Sequence, residues 1–258
     1  MWENELEIAK NIAVKAGKEI MEYYHGSFEV DIKSDDSPVT SADRASNEII
    51  ISELKRKYPY YAILSEENDD DFSRLDNDFV WIIDPLDGTQ DFVDHGNGFA
   101  VNIALAYKHE VVVGVVYVPV NDELYYASKG NGSFCVRHNI TNRINVSNKT
   151  NDLTCLTSLH FFGKEEKELI NKHADRITNC RGAGASIKAC LIAEGKAEIC
   201  YRLYPNTKEW DTAAPQILVE EAGGYFLKPD STPIRYNRRD VNNREGFIIL
   251  NSKDNLLL

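Results

Sequence analysis

The chain has 258 residues, 43% of them hydrophobic and 27% charged, enough for one large domain or two modest ones sharing a core. Its formal net charge of −12 argues against nucleic-acid polymers or anionic membranes as main partners, and no apolar run reaches the length of a bilayer span. A small anionic substrate remains compatible, provided that something cationic, such as a bound metal ion, is supplied locally.

Taken in chain order, Leu6, Ala9, Ala13, Ala16, Ile20 and Tyr24 recur at steps of three and four, which predicts an amphipathic helix over residues 3–24. The first twenty residues are acidic where a secretory leader would be basic, so a cytoplasmic location is expected; contact with a membrane surface is left open. KSDDSPVTSAD, from Lys33 to Asp43, reads as a polar loop that leads into a second helix over 41–57, closed by Pro59. Within it, Thr40 and Asp43 have capping-box spacing.

YAILS before Glu66 and FVWIID ending at Asp84 read as strands, with NDDDFSRLDND between them as an acidic, solvated turn. FAVNIALAY, VVVGVVYV, ELYYAS and GNGSFCV then form an expected antiparallel meander. From about residue 150 strands and helices alternate: LTCLTSL, RITNCRG, AEICYR and GFIIL as strands, KEEKELINKHA, ASIKACLIAEG and WDTAAPQILVEEAGG as helices. No linker interrupts the chain. Two packed subdomains are therefore expected, an α+β unit over 1–145 and an α/β unit over 146–258.

Five cysteines without a CxxC pair fit reduced, mostly buried thiols, and six scattered histidines show no metal-ligand spacing. The acidic residues are different. Glu66 and Glu67 stand where one strand ends, Asp84 and Asp87 where the next ends, and Asp211 where a helix opens. Several carboxylates converging on one point need a cation between them, and oxygen-only ligands favour a hard ion such as Mg²⁺, with Mn²⁺ as a substitute. If a helix starts at Gly88 and Thr89, its unpaired N–H groups make a phosphate seat beside that cation. Singly, Asp87 and Asp211 read equally well as helix N-caps, and Glu67 as a surface residue or one that supports a ligand without being one.

LSEE (64–67), WIIDPLDGT (81–89) and EWDTAAPQILVEEAGG (209–224) together resemble the inositol monophosphatase superfamily of metal-dependent, lithium-sensitive phosphatases. KSDDSPVTSAD, ASIKACLIAEGKAEICYRL and PIRYNRRDVNNREGFI are similar to its bacterial 3'(2'),5'-bisphosphate nucleotidase branch, the CysQ type. The resemblance implies a layered αβαβα sandwich, α+β and α/β in character, and Mg²⁺-dependent hydrolysis of a small phosphate ester with two or three ions. It also implies Glu66, Asp84, Asp87, Asp211 and the carbonyl of Leu86 as metal ligands. Thr89 with Asp43, and Glu66, match the groups that activate water. Leu86, Asp87, Gly88, Thr89 and Asp211 match the phosphate-holding site. Gly184, Ala185, Ser186 and Lys188 fall where the leaving group is expected, and Lys33 falls in the loop of a weakly held third metal. A homodimer is a further possibility that the superfamily suggests.

Adenosine 3',5'-bisphosphate, hydrolysed to AMP and phosphate, is the first expected substrate. Inositol 1-phosphate or another sugar monophosphate is the alternative, and a non-catalytic metal- or nucleotide-binding protein the third reading. Departures bear on that choice. Gln90 stands where the nucleotidase branch usually has Lys, and Pro215 replaces a common Gly, expected to be harmless as a first-turn proline. Lys188 or Arg202 would serve as the cation for a second phosphate, unless both lie on the surface.

Overall fold

The computed structural model describes residues 1–33 and 37–258. Helix α1 (Glu3–His25) buries Ala9, Ile12, Ala13, Ala16 and Ile20, the stripe that its sequence spacing announces. Residues 34–36 of the expected polar loop lie outside the described residues. The segments flanking them are not irregular: β1 (Val30–Ile32) pairs antiparallel with β2 (Pro38–Thr40). Strands this short, one exposed throughout, leave no hydrophobic alternation to read. Thr40 then caps α2 (Ser41–Lys57) in a full capping box with Asp43.

The first large sheet has seven strands in sequential order: β3 (Ala62–Ser65), β4 (Phe79–Asp87), β5 (Ala100–Tyr107), β6 (Glu110–Val118), β7 (Glu123–Ser128), β8 (Gly132–Arg137) and β9 (Ile140–Ile144). All its pairings are antiparallel except β3 with β4. β9 continues the expected meander by one exposed strand. The second sheet has the order β11-β10-β12-β14-β13, with β10 (Leu153–Ser158), β11 (Ile177–Ala183), β12 (Ile199–Arg202), β13 (Tyr225–Leu227) and β14 (Phe247–Leu250). Its helices are α4 (Lys164–Lys172), α5 (Ile187–Ala193) and α6 (Glu209–Glu221); the short α3 (Thr89–Val93) follows β4.

The layers run α1 and α2, the seven-stranded sheet, α5 and α6, the five-stranded sheet, then α4. Although the sheets divide the chain near residue 145, the central apolar layer does not. It joins Val80, Ala104, Val116 and Tyr125 from the first half to Cys190, Ile217, Leu218 and Ile249 from the second. α6 lies close against β6 because Gly114 has no side chain: a Cβ there would stand 2.4 Å from Ile217 Cγ2.

Three expectations are corrected here. β4 runs to Asp87, past the expected end at Asp84. α6 opens at Glu209, so Asp211 is its third residue, and the missing N–H of Pro215 falls at the seventh position rather than in the first turn. It removes the helix bond that residue 215 would give to the carbonyl of Asp211. The acidic stretch 68–78 is also more than a solvated turn. It contains a 3₁₀ turn, Ser73–Asp76, that carries Arg74 at 2% exposure.

Arg74 donates to Asp70 Oδ2 at 2.8 Å, to Asn237 Oδ1 at 2.8 Å and to the carbonyl of Arg238 at 2.9 Å. The N–H of Asn237 in turn donates to Glu209 Oε2 at 2.7 Å. This chain of bonds ties the segment after Glu67 to the first turn of α6. Arg74→Ala would leave buried acceptors unpaired, and is expected to cost about 2–4 kcal/mol in urea unfolding. A change below about 0.5 kcal/mol, the range of an ordinary surface substitution, would show that the network is not holding these segments together.

Candidate active site

Residues three apart on a regular strand point to opposite faces, which would send Asp84 and Asp87 in different directions. β4 avoids this. Asp84 pairs with Asn102 and Asp87 with Ala100, so three steps on β4 answer two on β5: one extra residue, a β-bulge. Pro85 sits inside it, where its missing N–H breaks no ladder bond. The bulge turns both carboxylates to the same side, and the first turn of α6 brings Asp211 to meet them. Carboxylate oxygens of Asp84, Asp87 and Asp211 all lie within 4.8 Å of one another.

Each carboxylate is held by neutral donors. The N–H of Leu86 donates to Asp84 Oδ1 at 3.1 Å. Asp87 Oδ2 accepts from the N–H and hydroxyl of Ser186, at 2.7 and 2.5 Å, and from Asn102 Nδ2 at 3.1 Å. Asp211 Oδ2 accepts from the N–H of Lys208 at 2.5 Å, closing a capping-box arrangement in which Asp211 is the third residue and not the N-cap. Asp87 is not an N-cap either; Gly88 occupies that position before α3.

Burial, then the neighbouring charges of Glu66, Asp87, Asp211 and Asp43, pushes the Asp84 carboxyl well above its ordinary range. Asp211 is pushed the same way by burial and then by Asp87 and Glu66. Asp87 is raised by burial, against which its bonds to Ser186 and Asn102 pull. Carboxylates that repel in this way are what a divalent cation neutralises, and an all-oxygen donor set suits a hard one. The residues present therefore fit the metal centre that the sequence implies. Asp84, Asp87 and Asp211 are the set the structure brings together.

Glu66 stands beside that set rather than within it, its Oε1 2.8 Å from Lys33 Nζ, while Lys33 also reaches Glu67 Oε1 at 2.6 Å. Glu67 is thus engaged with the Lys33 loop instead of being a bystander on the surface. The two carboxylates push the Lys33 ammonium upward, overcoming the opposing effect of its own burial.

Asp43 combines two tasks by using its oxygens separately. Oδ2 accepts from the N–H and hydroxyl of Thr40, at 2.7 and 2.6 Å, and so closes the cap of α2. Oδ1 accepts from the hydroxyl of Thr89 at 3.0 Å. Thr89 Oγ1 also lies 3.2 Å from the carbonyl of Leu86, an alternative acceptor for its single proton. The hydroxyl is thereby placed at the same strand end as Asp84 and Asp87.

Gly88 and Gly184 converge on one point. Gly88 has φ 98°, and a Cβ on it would lie 2.8 Å from the carbonyl of Gly98; one on Gly184 would lie 2.3 Å from the same oxygen. Three stretches of backbone therefore touch where Gly88, Gly98 and Gly184 meet, setting Ala185 and Ser186 against Asp87. Gly98 and Asn102 carry no motif of their own in the sequence. The pairing of β5 with β4 reveals Asn102, and the backbone contact with Gly88 and Gly184 reveals Gly98.

Lys188 and Arg202 are both buried, which settles their surface alternative. Lys188 Nζ lies under the 183–185 loop, donating to the carbonyls of Ala185 at 2.8 Å and Ala183 at 3.3 Å, and its burial lowers the ammonium's pKa. Arg202 is engaged with the carbonyl of Phe161, with Glu166 and with Asn206.

The inositol monophosphatase family model matches residues 1–256. The chain is 34% identical over 239 residues to the 3'(2'),5'-bisphosphate nucleotidase CysQ of Escherichia coli (strain K12), covering 92% of this chain and 95% of that relative. Among solved structures it is similar to CysQ from Bacteroides thetaiotaomicron, with a TM-score of 0.85, 32% identity, and coverage of 98% and 99% of the two chains. It is also similar to the IMPase of Thermotoga maritima, with a TM-score of 0.82, 26% identity, and coverage of 98% and 93%. A family match over nearly the whole chain, a relative at 34% identity and a shared layered fold thus agree with the motifs: the chain belongs to the inositol monophosphatase family.

Proposed function

We propose that this protein is a Mg²⁺-dependent phosphomonoesterase that hydrolyses adenosine 3',5'-bisphosphate to AMP and phosphate. The observation that carries the chemistry is the meeting of Asp84, Asp87 and Asp211 beside the Asp43–Thr89 hydrogen bond. The substrate class follows the nucleotidases named above, which the chain matches over nearly its whole length.

Asp84, Asp87 and Asp211 would hold the cation, with Glu66 and the carbonyl of Leu86 completing its surroundings. When bound, such an ion supplies positive charge to phosphoryl oxygens and acidifies a coordinated water. The chain's own groups do the positioning. Asp43 accepts the hydrogen bond of the Thr89 hydroxyl, so a lone pair of Oγ1 is available to accept from an attacking water and aim it. Ser186 and Asn102 fix the rotation of Asp87. Gly88 admits a phosphate close to the backbone, where the first N–H groups of α3 lack helix partners. In a loose phosphoryl-transfer transition state such placement and charge neutralisation supply most of the rate. A cytoplasmic setting accords with the five free thiols.

Gln90 favours a second reading, a sugar monophosphate. Its side-chain amide is exposed and donates to Asp94 at 3.1 Å, so position 90 brings no positive charge for a second phosphate.

Phosphate release with Mg²⁺ and with EDTA, run on adenosine 3',5'-bisphosphate, AMP and inositol 1-phosphate, separates the readings. Preference for the bisphosphate, abolished by EDTA, is the expected result. Preference for inositol 1-phosphate would move the substrate to the second reading, and silence on all three with metal bound would favour a binding protein.

Asp84→Asn and Asp211→Asn are each expected to lower turnover by more than about 100-fold, since changes beside a metal ligand alone cost 10–100-fold. Wild-type-like activity in either folded variant would sink the assignment. Removing one buried charge should also relieve repulsion in the metal-free protein. Asp84→Asn is expected to be more stable than the parent in EDTA by ~2 kcal/mol, and to lose the rise in melting temperature that Mg²⁺ gives the parent. A parent protein whose melting is indifferent to Mg²⁺ would contradict cation binding at this cluster.

A further inference from the structure

Cys155 and Cys180 are register partners on neighbouring parallel strands, β10 and β11. Adjacent strands stand ~4.8 Å apart, inside the range of Cα separations that a disulfide spans. Residues paired in register project to the same face of a sheet, which puts the two side chains next to each other. Their surroundings differ. Cys155 is 1% exposed in the apolar layer that includes Leu153, Leu169 and Ile199, whereas Cys180 lies on the edge strand and is exposed.

We propose that Cys155 and Cys180 form a reversible disulfide, with Cys180 as the attacking thiol, Cys155 as the resolving thiol and a small-molecule disulfide as the oxidant. The neighbouring Cys155 thiol pulls the Cys180 thiol down to about 7, which favours the thiolate near neutrality. The Cys180 thiolate attacks one sulfur of the oxidant, forming a mixed disulfide and expelling one small thiolate. Cys155 then attacks the Cys180 sulfur. The mixed S–S bond breaks, the second small thiolate leaves with the Cys155 proton, and the protein has lost two protons and two electrons to the oxidant.

Cys155 is held strongly toward its protonated form, first by the neighbouring Cys180 thiol and then by burial, and its own thiol donates to the carbonyl of Leu156 at 3.8 Å. Once Cys180 has become a mixed disulfide the first of these causes disappears, which makes Cys155 a better nucleophile at the step where it is needed. The other thiols do not compete. Cys200 pairs with Leu156 on β12 and faces the central layer, on the opposite side of the sheet from Cys155. Cys135 and Cys190 adjoin one another in that same layer, but both are buried and both are pushed up in pKa. Among the five, only Cys180 is exposed to an oxidant. β11 ends at Ala183, and the three residues that follow include Ser186, the partner of Asp87.

The test is to expose the full chain to oxidised glutathione, block remaining thiols by alkylation, and map peptides by mass without reduction. The expected product is one cross-linked pair carrying Cys155 and Cys180, lighter than its two peptides by two hydrogens and separated by dithiothreitol. Cys180→Ser should leave Cys155 unmodified, and Cys155→Ala should stop at a stable glutathionyl adduct on Cys180. A parent protein that accumulates only that adduct, reacts at another cysteine, or stays fully reduced would overturn the proposal. The exposed Cys180→Ser change keeps the test decisive if the buried substitution impairs folding.

Discussion

One inserted residue organises the centre of this molecule. Without the bulge at Pro85 and Leu86, Asp84 and Asp87 would face opposite sides of the seven-stranded sheet, and no common point could be approached by both. With it, the strand end presents two carboxylates together, and α6 can add a third, Asp211, from far along the chain. The cost is electrostatic. Like charges gathered in a buried place are tolerated only where each is fixed by a donor, as Leu86, Ser186, Asn102 and Lys208 fix theirs, and where a cation completes the arrangement.

The two halves of the chain meet around that centre in a way that denies them independence. α6 carries Asp211 and belongs by sequence to the second half, yet it packs against β4 to β8 of the first. Gly114 lets the helix approach, and the Arg74–Asn237–Glu209 chain fastens its start to the segment beyond Glu67. The relative placement of Asp84 and Asp211 is thereby set by core packing and buried polar bonds, not by a tether.

Much of this was legible in the sequence, and for identifiable reasons. The helix α1 stripe, the meander and the alternation after residue 150 are local patterns, and LSEE, DPLDGT and EWD put unusual acidic residues at element ends. What escaped was non-local. Arg74 reads as one basic residue in an acidic turn, because its acceptor Asn237 is 163 residues away. Asn102 reads as an interruption in an apolar strand until its pairing with Asp84 is known. The bulge itself was hidden, since a strand ending at Asp84 and a strand slipping at Pro85 have the same composition. Pro215 was misplaced for a smaller reason: α6 starts two residues before the Asp taken as its opening.

The contact among Gly88, Gly98 and Gly184 has a mechanical consequence. Where backbone rests on backbone there is no side chain to rotate and absorb a displacement, so neither the phosphate turn nor the 184–186 loop can shift alone. The Gly88 turn and the 184–186 loop, with Ser186 on Asp87, therefore move as one body. The stretch between β12 and α6 is held differently: Arg202 anchors its near end through a side-chain bond, and Tyr204 stands exposed within it.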